Sequence, residues 1–166
     1  MPKDTQDLPT TTETCSEDAD QMTPVRRSLD HPGNLNQYEA LRELRILYVD
    51  DNLRTSEAIS EVLELTGARV ELAANSNDAM TALQAFEPQV IVCALAKPGE
   101  DGYVFIHKLR EHERGRARKI PVLAFTALPS SADKLDAIDA GFQLYLAKPI
   151  DIDRLRDALL QLVAMI

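Results

Sequence analysis

Ile46-Leu47-Tyr48-Val49-Asp50-Asp51-Asn52 is a short apolar run that stops on two acids, and its reading decides how the rest of the chain folds. Four apolar residues in a row are too few for a helix and suit a strand covered on both faces. After it, Ile59, Val62, Leu63 and Thr66 recur at helical spacing and stop at Gly67, a natural C-cap. The alternation then repeats. Val70 and Leu72 mark a second strand, and Ala79, Leu83 and Phe86 a second helix closed by Pro88. Val90 to Ala94 reads as a fully buried third strand. Phe105, Ile106 and Leu109 mark a third helix that runs into the polar stretch Glu111 to Lys119. Ile120 to Phe125 is a fourth strand, Leu135 and Ile138 with Gly141 a fourth helix and its cap, and Phe142 to Leu146 a fifth strand. Ile152, Leu155, Leu159, Leu162 and Ile166 form the apolar stripe of a final helix.

Five strand–helix units in about 120 residues imply an α/β fold with a parallel sheet, because parallel strands need crossover connections. Helices then cover both faces of the sheet. Ligands of such folds sit beyond the carboxyl ends of the strands, where the strand order reverses. That directs attention to residues 50–52, 94–102, 126–128 and 147–149.

Upstream the character changes. Residues 1–33 are rich in Thr, Asp, Glu, Ser and Pro and show no helical or strand period, which predicts a disordered acidic tail. Residues 1–44 hold 4 basic and 9 acidic residues, a net −5, whereas the much longer 45–166 holds 14 and 18, a net −4. Leu35, Tyr38, Leu41 and Leu44, following Asn34 as N-cap, predict a short linker helix over 34–44.

Composition narrows the function classes. With 166 residues and 45% apolar content the chain suits one ordinary domain with extra chain attached. A net charge of −9 argues against a nucleic-acid-binding surface. Cys15 and Cys93 form no CxxC pair and no disulfide framework, so a reducing cytoplasm is the expected compartment. The start has no apolar leader, and the longest apolar run, Val90 to Ala96, is too short to span a bilayer.

The strand ends read Asp50-Asp51-Asn52, then Ala94-Leu95-Ala96-Lys97-Pro98-Gly99-Glu100-Asp101-Gly102, then Thr126-Ala127, and finally Lys148-Pro149 with Tyr145 just upstream. With these five elements in this order, residues 45–166 resemble the receiver domain of two-component response regulators. The stretches Pro-Gly-Glu-Asp-Gly-Tyr and Ala-Gly-Phe-Gln-Leu-Tyr-Leu-Ala-Lys-Pro are most similar to receivers attached to hybrid kinases. The resemblance implies a flavodoxin-like, doubly wound (βα)5 three-layer sandwich with strand order 2-1-3-4-5. It places Asp50 and Asp51 where the family holds Mg²⁺. Thr126 falls where a hydroxyl bonds a phosphoryl oxygen, and Lys148 where an ammonium pairs with phosphate. Tyr145 matches an aromatic that changes rotamer on activation, and Pro149 a residue that follows a cis peptide bond.

One position departs from the pattern. The family's phosphoacceptor aspartate stands four residues before the Pro of the Pro-Gly motif, and counting back from Pro98 reaches Ala94. Phosphoryl transfer needs an oxygen that can attack phosphorus, and a methyl group has no lone pair. Losing one of three carboxylates also weakens the Mg²⁺ site, since that ion demands several oxygen ligands. Lys148 is then free to pair with Asp50 or Asp51 and stand in for the cation, so no cofactor is expected and Mg²⁺ binding is weakened. No neighbour replaces the nucleophile: Cys93 points to the opposite face of the strand as a core residue, Asp101 caps the third helix, and Thr126 lacks a base. Asp51 is the least poor substitute.

Each feature also has a plainer reading. Without the family, Asp50 and Asp51 simply cap the following helix, and Tyr145 is a half-buried strand aromatic. Arg114, Arg116, Arg118 and Lys119 form a solvated basic loop or a dock for an acidic partner or the tail. His31, His107 and His112 have no metal-ligand spacing. The expected function is a non-enzymatic signalling module that binds a histidine kinase or a downstream effector without being phosphorylated. Its contact face is the one formed by the fourth helix, fifth strand and fifth helix, where a homodimer would also form. The alternative is the phospho-null form of an ordinary Mg²⁺-dependent receiver. An enzyme or small-molecule binder on the same scaffold is disfavoured, because the chain has no GxxxxGK[ST] or GxGxxG motif.

Overall fold

A computed structural model describes residues 41–95, 101–127, 130–149 and 151–166. The tail 1–33, residues 34–40 of the expected linker helix and the turn carrying Pro98 and Gly99 lie outside the described residues. Five strands and five helices alternate: β1 (Arg45–Val49), α1 (Leu53–Leu65), β2 (Arg69–Ala73), α2 (Ser76–Phe86), β3 (Val90–Leu95), α3 (Asp101–His112), β4 (Val122–Thr126), α4 (Ser131–Ala140), β5 (Leu144–Ala147) and α5 (Ile152–Val163). The sheet is parallel in the order β2-β1-β3-β4-β5. The doubly wound architecture and strand order expected from the sequence are both present.

Two apolar layers explain why the strands read as they do. Ile46, Tyr48, Val92, Leu123 and Phe125 pack under Ile59 and Leu63 of α1 and Leu155, Leu159 and Leu162 of α5. On the other face, Leu47, Val49, Ile91, Cys93 and Ala124 meet Ala79 and Leu83 of α2, Phe105, Ile106 and Leu109 of α3, and Ala137 of α4. Strands β1, β3 and β4 are thus covered on both sides, and continuous apolar runs are what such strands require. Edge strand β2 alternates instead, with Ala73 its one fully buried residue.

Several boundaries and faces differ from expectation for local reasons. The fourth strand begins at Val122, not Ile120, because Pro121 has no N–H to give the ladder and Val122 N donates to Gln143 Oε1 at 2.7 Å. The fifth strand begins at Leu144, since Phe142 N is committed to Ala137 O at the end of α4 (3.1 Å). Gly141 ends that helix at φ +114°, a left-handed conformation in which a side chain would be strained. Leu135 and Ile138 lie on α4 as expected but face solvent, 63% and 48% exposed, while Ala137 makes the inward contact. Ile152 and Ile166, the ends of the α5 stripe, are exposed as well. Leu41 and Leu44 are buried against the α1/α5 layer, and residues 41–43 form a turn.

Candidate functional site

The strand order sets the site. Val49 pairs with Cys93, Cys93 with Ala124, Leu95 with Thr126, and Thr126 with Ala147. Asp50, Ala94, Thr126 and Lys148 therefore stand side by side at the carboxyl edge, on the ends of β1, β3, β4 and β5. Cys93 is buried in the α2/α3/α4 layer, its thiol 3.9 Å from Gly102 O, as its place on the strand requires. Ala94, the next residue, turns to the opposite face and is half-buried. Gly102, in the first turn of α3, comes so close to this strand end that a Cβ there would lie 2.7 Å from Ala94 O. Only glycine lets the helix start beside the site.

Asp50 is the centre of the polar network. Its Oδ1 accepts from Asn52 N at 2.9 Å, and its Oδ2 accepts from Tyr48 OH at 3.2 Å and Lys148 Nζ at 3.4 Å. A buried carboxylate needs such donors, because leaving it unpaired is expensive. The expected pairing of Lys148 with an acid thus forms, and Asp50 is the acid. Asp51 is exposed and takes no part in it. Helix capping falls to Asn52, whose Oδ1 accepts from Thr55 N at 3.3 Å, so neither aspartate is the cap itself.

Tyr48 is the site residue that sequence reasoning missed. Its phenol is held far above the ordinary tyrosine range, first by burial and then by the neighbouring Asp50 charge. A signal was present: a tyrosine within an aliphatic strand, two positions before an acid, needs a partner for its hydroxyl. The same alternation that hides Tyr48 under α1 and α5 aims its ring toward the strand end.

Lys148 has a second contact, with its ammonium 4.7 Å from the centre of the Phe125 ring. Its amide donates to Thr126 O at 2.6 Å, which ties the β5 end to β4. The Lys148–Pro149 peptide bond is cis. Thr126 is buried, and its side chain is hydrogen-bonded with Tyr145. Burial raises the Tyr145 phenol and that bond opposes the rise. All the expected pocket residues except Asp51 are therefore brought into one connected cluster.

The described residues offer a divalent cation a sparse donor set. Ala94 supplies no side-chain oxygen, Asp50 already accepts from three donors, and among the described residues no three His, Cys, Asp or Glu groups converge. Mg²⁺ held by Asp50 and Asp51 alone would have to complete its near-octahedral shell largely with water.

Comparison with known proteins agrees with this architecture. Residues 46–160 match the family model described as the response regulator receiver domain. An uncharacterized 14.6 kDa protein of Leptolyngbya boryana is 34% identical over 113 residues, which cover 68% of this chain and 85% of that one. Response regulator Rre1 of Synechocystis is 34% identical over 122 residues, covering 73% of this chain but 52% of the relative. Hybrid signal transduction histidine kinase D of Dictyostelium discoideum is 33% identical over 148 residues, only 9% of its own length. Apart from the first, then, these relatives are much longer than the shared region. Among solved structures, a putative response regulator from Chloroflexus aurantiacus superposes with TM-score 0.66 at 28% identity, covering 74% of this chain and 99% of that one. The receiver domain from Bermanella marisrubri does so with TM-score 0.61 at 36% identity, covering 72% and 97%. Among the described residues no helix is long and apolar enough to cross a membrane. The family match, the parallel order and the clustered strand ends lead to one conclusion: the chain belongs to the response-regulator receiver family of two-component signalling.

Proposed function

We propose that this receiver has lost its phosphoacceptor and signals by protein–protein contact without a phosphoryl group. The observation that carries the reading is Ala94 at the end of β3, beside an Asp50 whose charge is already answered by Lys148. A methyl group cannot form an acyl phosphate. An ammonium already paired with a carboxylate has exchanged its role as phosphate partner for that of resident counter-ion. Mg²⁺ then binds weakly, because its place is taken and one ligand is gone. The Thr126 side chain is likewise engaged, in a hydrogen bond with Tyr145. In this reading both the ammonium and the hydroxyl already have protein partners.

The output face in this reading is α4, β5 and α5. Leu135 and Ile138 are exposed there, and Tyr145 lies half-buried at its upper end. Apolar side chains on a receiver surface suit contact with a histidine kinase, a downstream effector or a second copy of the chain. The module works in the cytoplasm by binding and performs no chemistry of its own.

The test is labelling by a small phosphodonor in the presence of Mg²⁺. The unchanged chain should take up no label. Ala94→Asp should take up one acid-resistant, base-sensitive phosphoryl group, since Asp50, Asp51, Thr126 and Lys148 are all retained. Label appearing on the unchanged chain in that linkage would overturn the proposal.

A further inference from the structure

At the opposite edge of the sheet, the loop from α3 to β4 concentrates positive charge in an acidic chain. Residues 110–119 hold five basic residues against two acids, a net +3 within a region, 45–166, that is −4 overall. Of the two acids, Glu113 is buried and faces inward, so Glu111 alone offsets the basic residues outside. Arg114, Arg116, Arg118 and Lys119 are all exposed, and among the described residues none has an acid within ion-pair distance. Like charges crowded on one loop repel each other, and among the described residues no ion pair relieves them.

The loop is nonetheless a fixed platform. Beneath it Arg110 donates to Gly141 O and Ile120 O, and Glu113 accepts from Ile120 N. Arg114 N and Arg116 N close turns onto Glu111 O and Glu113 O at 3.1 and 2.9 Å. Charges displayed on a pre-ordered frame lose less entropy when a ligand arrives. Two depressions share Lys119. One, of about 540 Å³, is rimmed by His107, Arg114 and Arg116; the other, of about 310 Å³, has Arg118 at its edge and Pro121, Met165 and Ile166 as an apolar wall. Met165 and Ile166 are exposed.

We infer that this edge is a docking surface for an acidic peptide segment of a partner protein, one that intersperses Asp or Glu with aliphatic residues. The acids meet the arginines, and an aliphatic side chain meets Met165 and Ile166. A nucleic acid fits less well. It carries a charge about every 1.7 Å along the duplex and wants a long basic track with stacking aromatics. Here the basic patch is short, its depressions contain no Phe, Tyr or Trp, and the remaining surface is acidic. The surface is independent of Ala94 and of the fate of the phosphorylation site.

Amide NMR titration of the full chain tests this, using a synthetic peptide of alternating Glu and Leu and, separately, a single-stranded oligonucleotide of equal charge. The expected result is saturable shifts confined to 112–121 and 165–166 with the peptide, weakened as salt is raised. The triple substitution Arg114→Glu, Arg116→Glu, Arg118→Glu should lower peptide affinity by roughly tenfold or more. Its urea midpoint should be unchanged, which separates lost binding from lost fold. Equal affinity in the triple variant, shifts centred elsewhere, or an oligonucleotide that binds these residues as tightly as the peptide would each overturn the inference.

Discussion

Two buried carboxylates stand at opposite ends of the sheet, and they are held differently. Glu113, at the amino edge, has a side chain 1% exposed and meets Arg110 Nη1 at 2.6 Å, with Ile120 N at 2.7 Å on its other oxygen. Asp50, at the carboxyl edge, is 2% exposed, yet its cation is at 3.4 Å on a lysine side chain 27% exposed, and a phenol shares the same oxygen. Short bonds from a planar guanidinium fix a geometry; a flexible ammonium at longer range satisfies charge while leaving room for change. The amino edge uses its buried pair as scaffolding. The carboxyl edge holds its buried acid by a longer contact from a lysine that is partly in water.

The sharpest way to break this comparison is Glu113→Ala. It removes the acid from under Arg110 and leaves Ile120 N without its acceptor, so a loss of about 3 kcal/mol or more is expected, in the range seen for broken buried pairs. Urea unfolding measures it, and Glu113→Gln should recover part of the loss by restoring the acceptor for Ile120 N. Lys148→Met is the matching test at the other end. Asp50 keeps Tyr48 OH and Asn52 N, and the lysine is partly in water, so about 1–2 kcal/mol is expected. Should Lys148→Met prove as damaging as Glu113→Ala in the same unfolding series, the distinction between scaffold and site would collapse.

What could be read from the residues follows the same division. The strand ends were legible because a parallel sheet forces its central strands into apolar runs, and whatever polar residue follows each run must lie at the carboxyl edge. Asp50, Thr126 and Lys148 are located that way, whereas Ala94 and Tyr145 lie within their strands and are singled out only by the resemblance to the receiver family. Glu113 was not, for it sits in a stretch from Glu111 to Lys119 whose composition reads as solvated loop throughout. Only the fold shows that one of those side chains turns under the helix, and the spacing from Arg110 by itself is what any exposed helical ion pair would show. Leu135 and Ile138 mark their helix correctly but leave its orientation open. Their spacing located α4, but period alone does not say which side of a helix meets the sheet, and small Ala137 was the inward residue. Strand ends shifted where a proline lacks a backbone donor or a capped helix claims one, a choice made between neighbours in space.

Tyr48→Phe refines the comparison with a smaller effect. It removes one of three donors to Asp50 and leaves the ring packed under α1 and α5, so about 1 kcal/mol should be lost at neutral pH. The pH dependence is more telling. Burial and Asp50 raise the Tyr48 phenol in the folded state above its unfolded value of about 10. A group raised on folding contributes stability below its unfolded pKa and loses it as pH climbs beyond, because the unfolded chain then releases a proton that the folded chain retains. The native protein should therefore become less stable above about pH 10. Tyr103 and Tyr145, both raised chiefly by burial, act in the same direction. The Phe variant, lacking one such group, should lose stability less steeply over that window, so the two unfolding curves converge as pH rises. Parallel curves would mean that Tyr48 is not bound to Asp50 in solution, and that Lys148 and Asn52 alone hold the carboxylate.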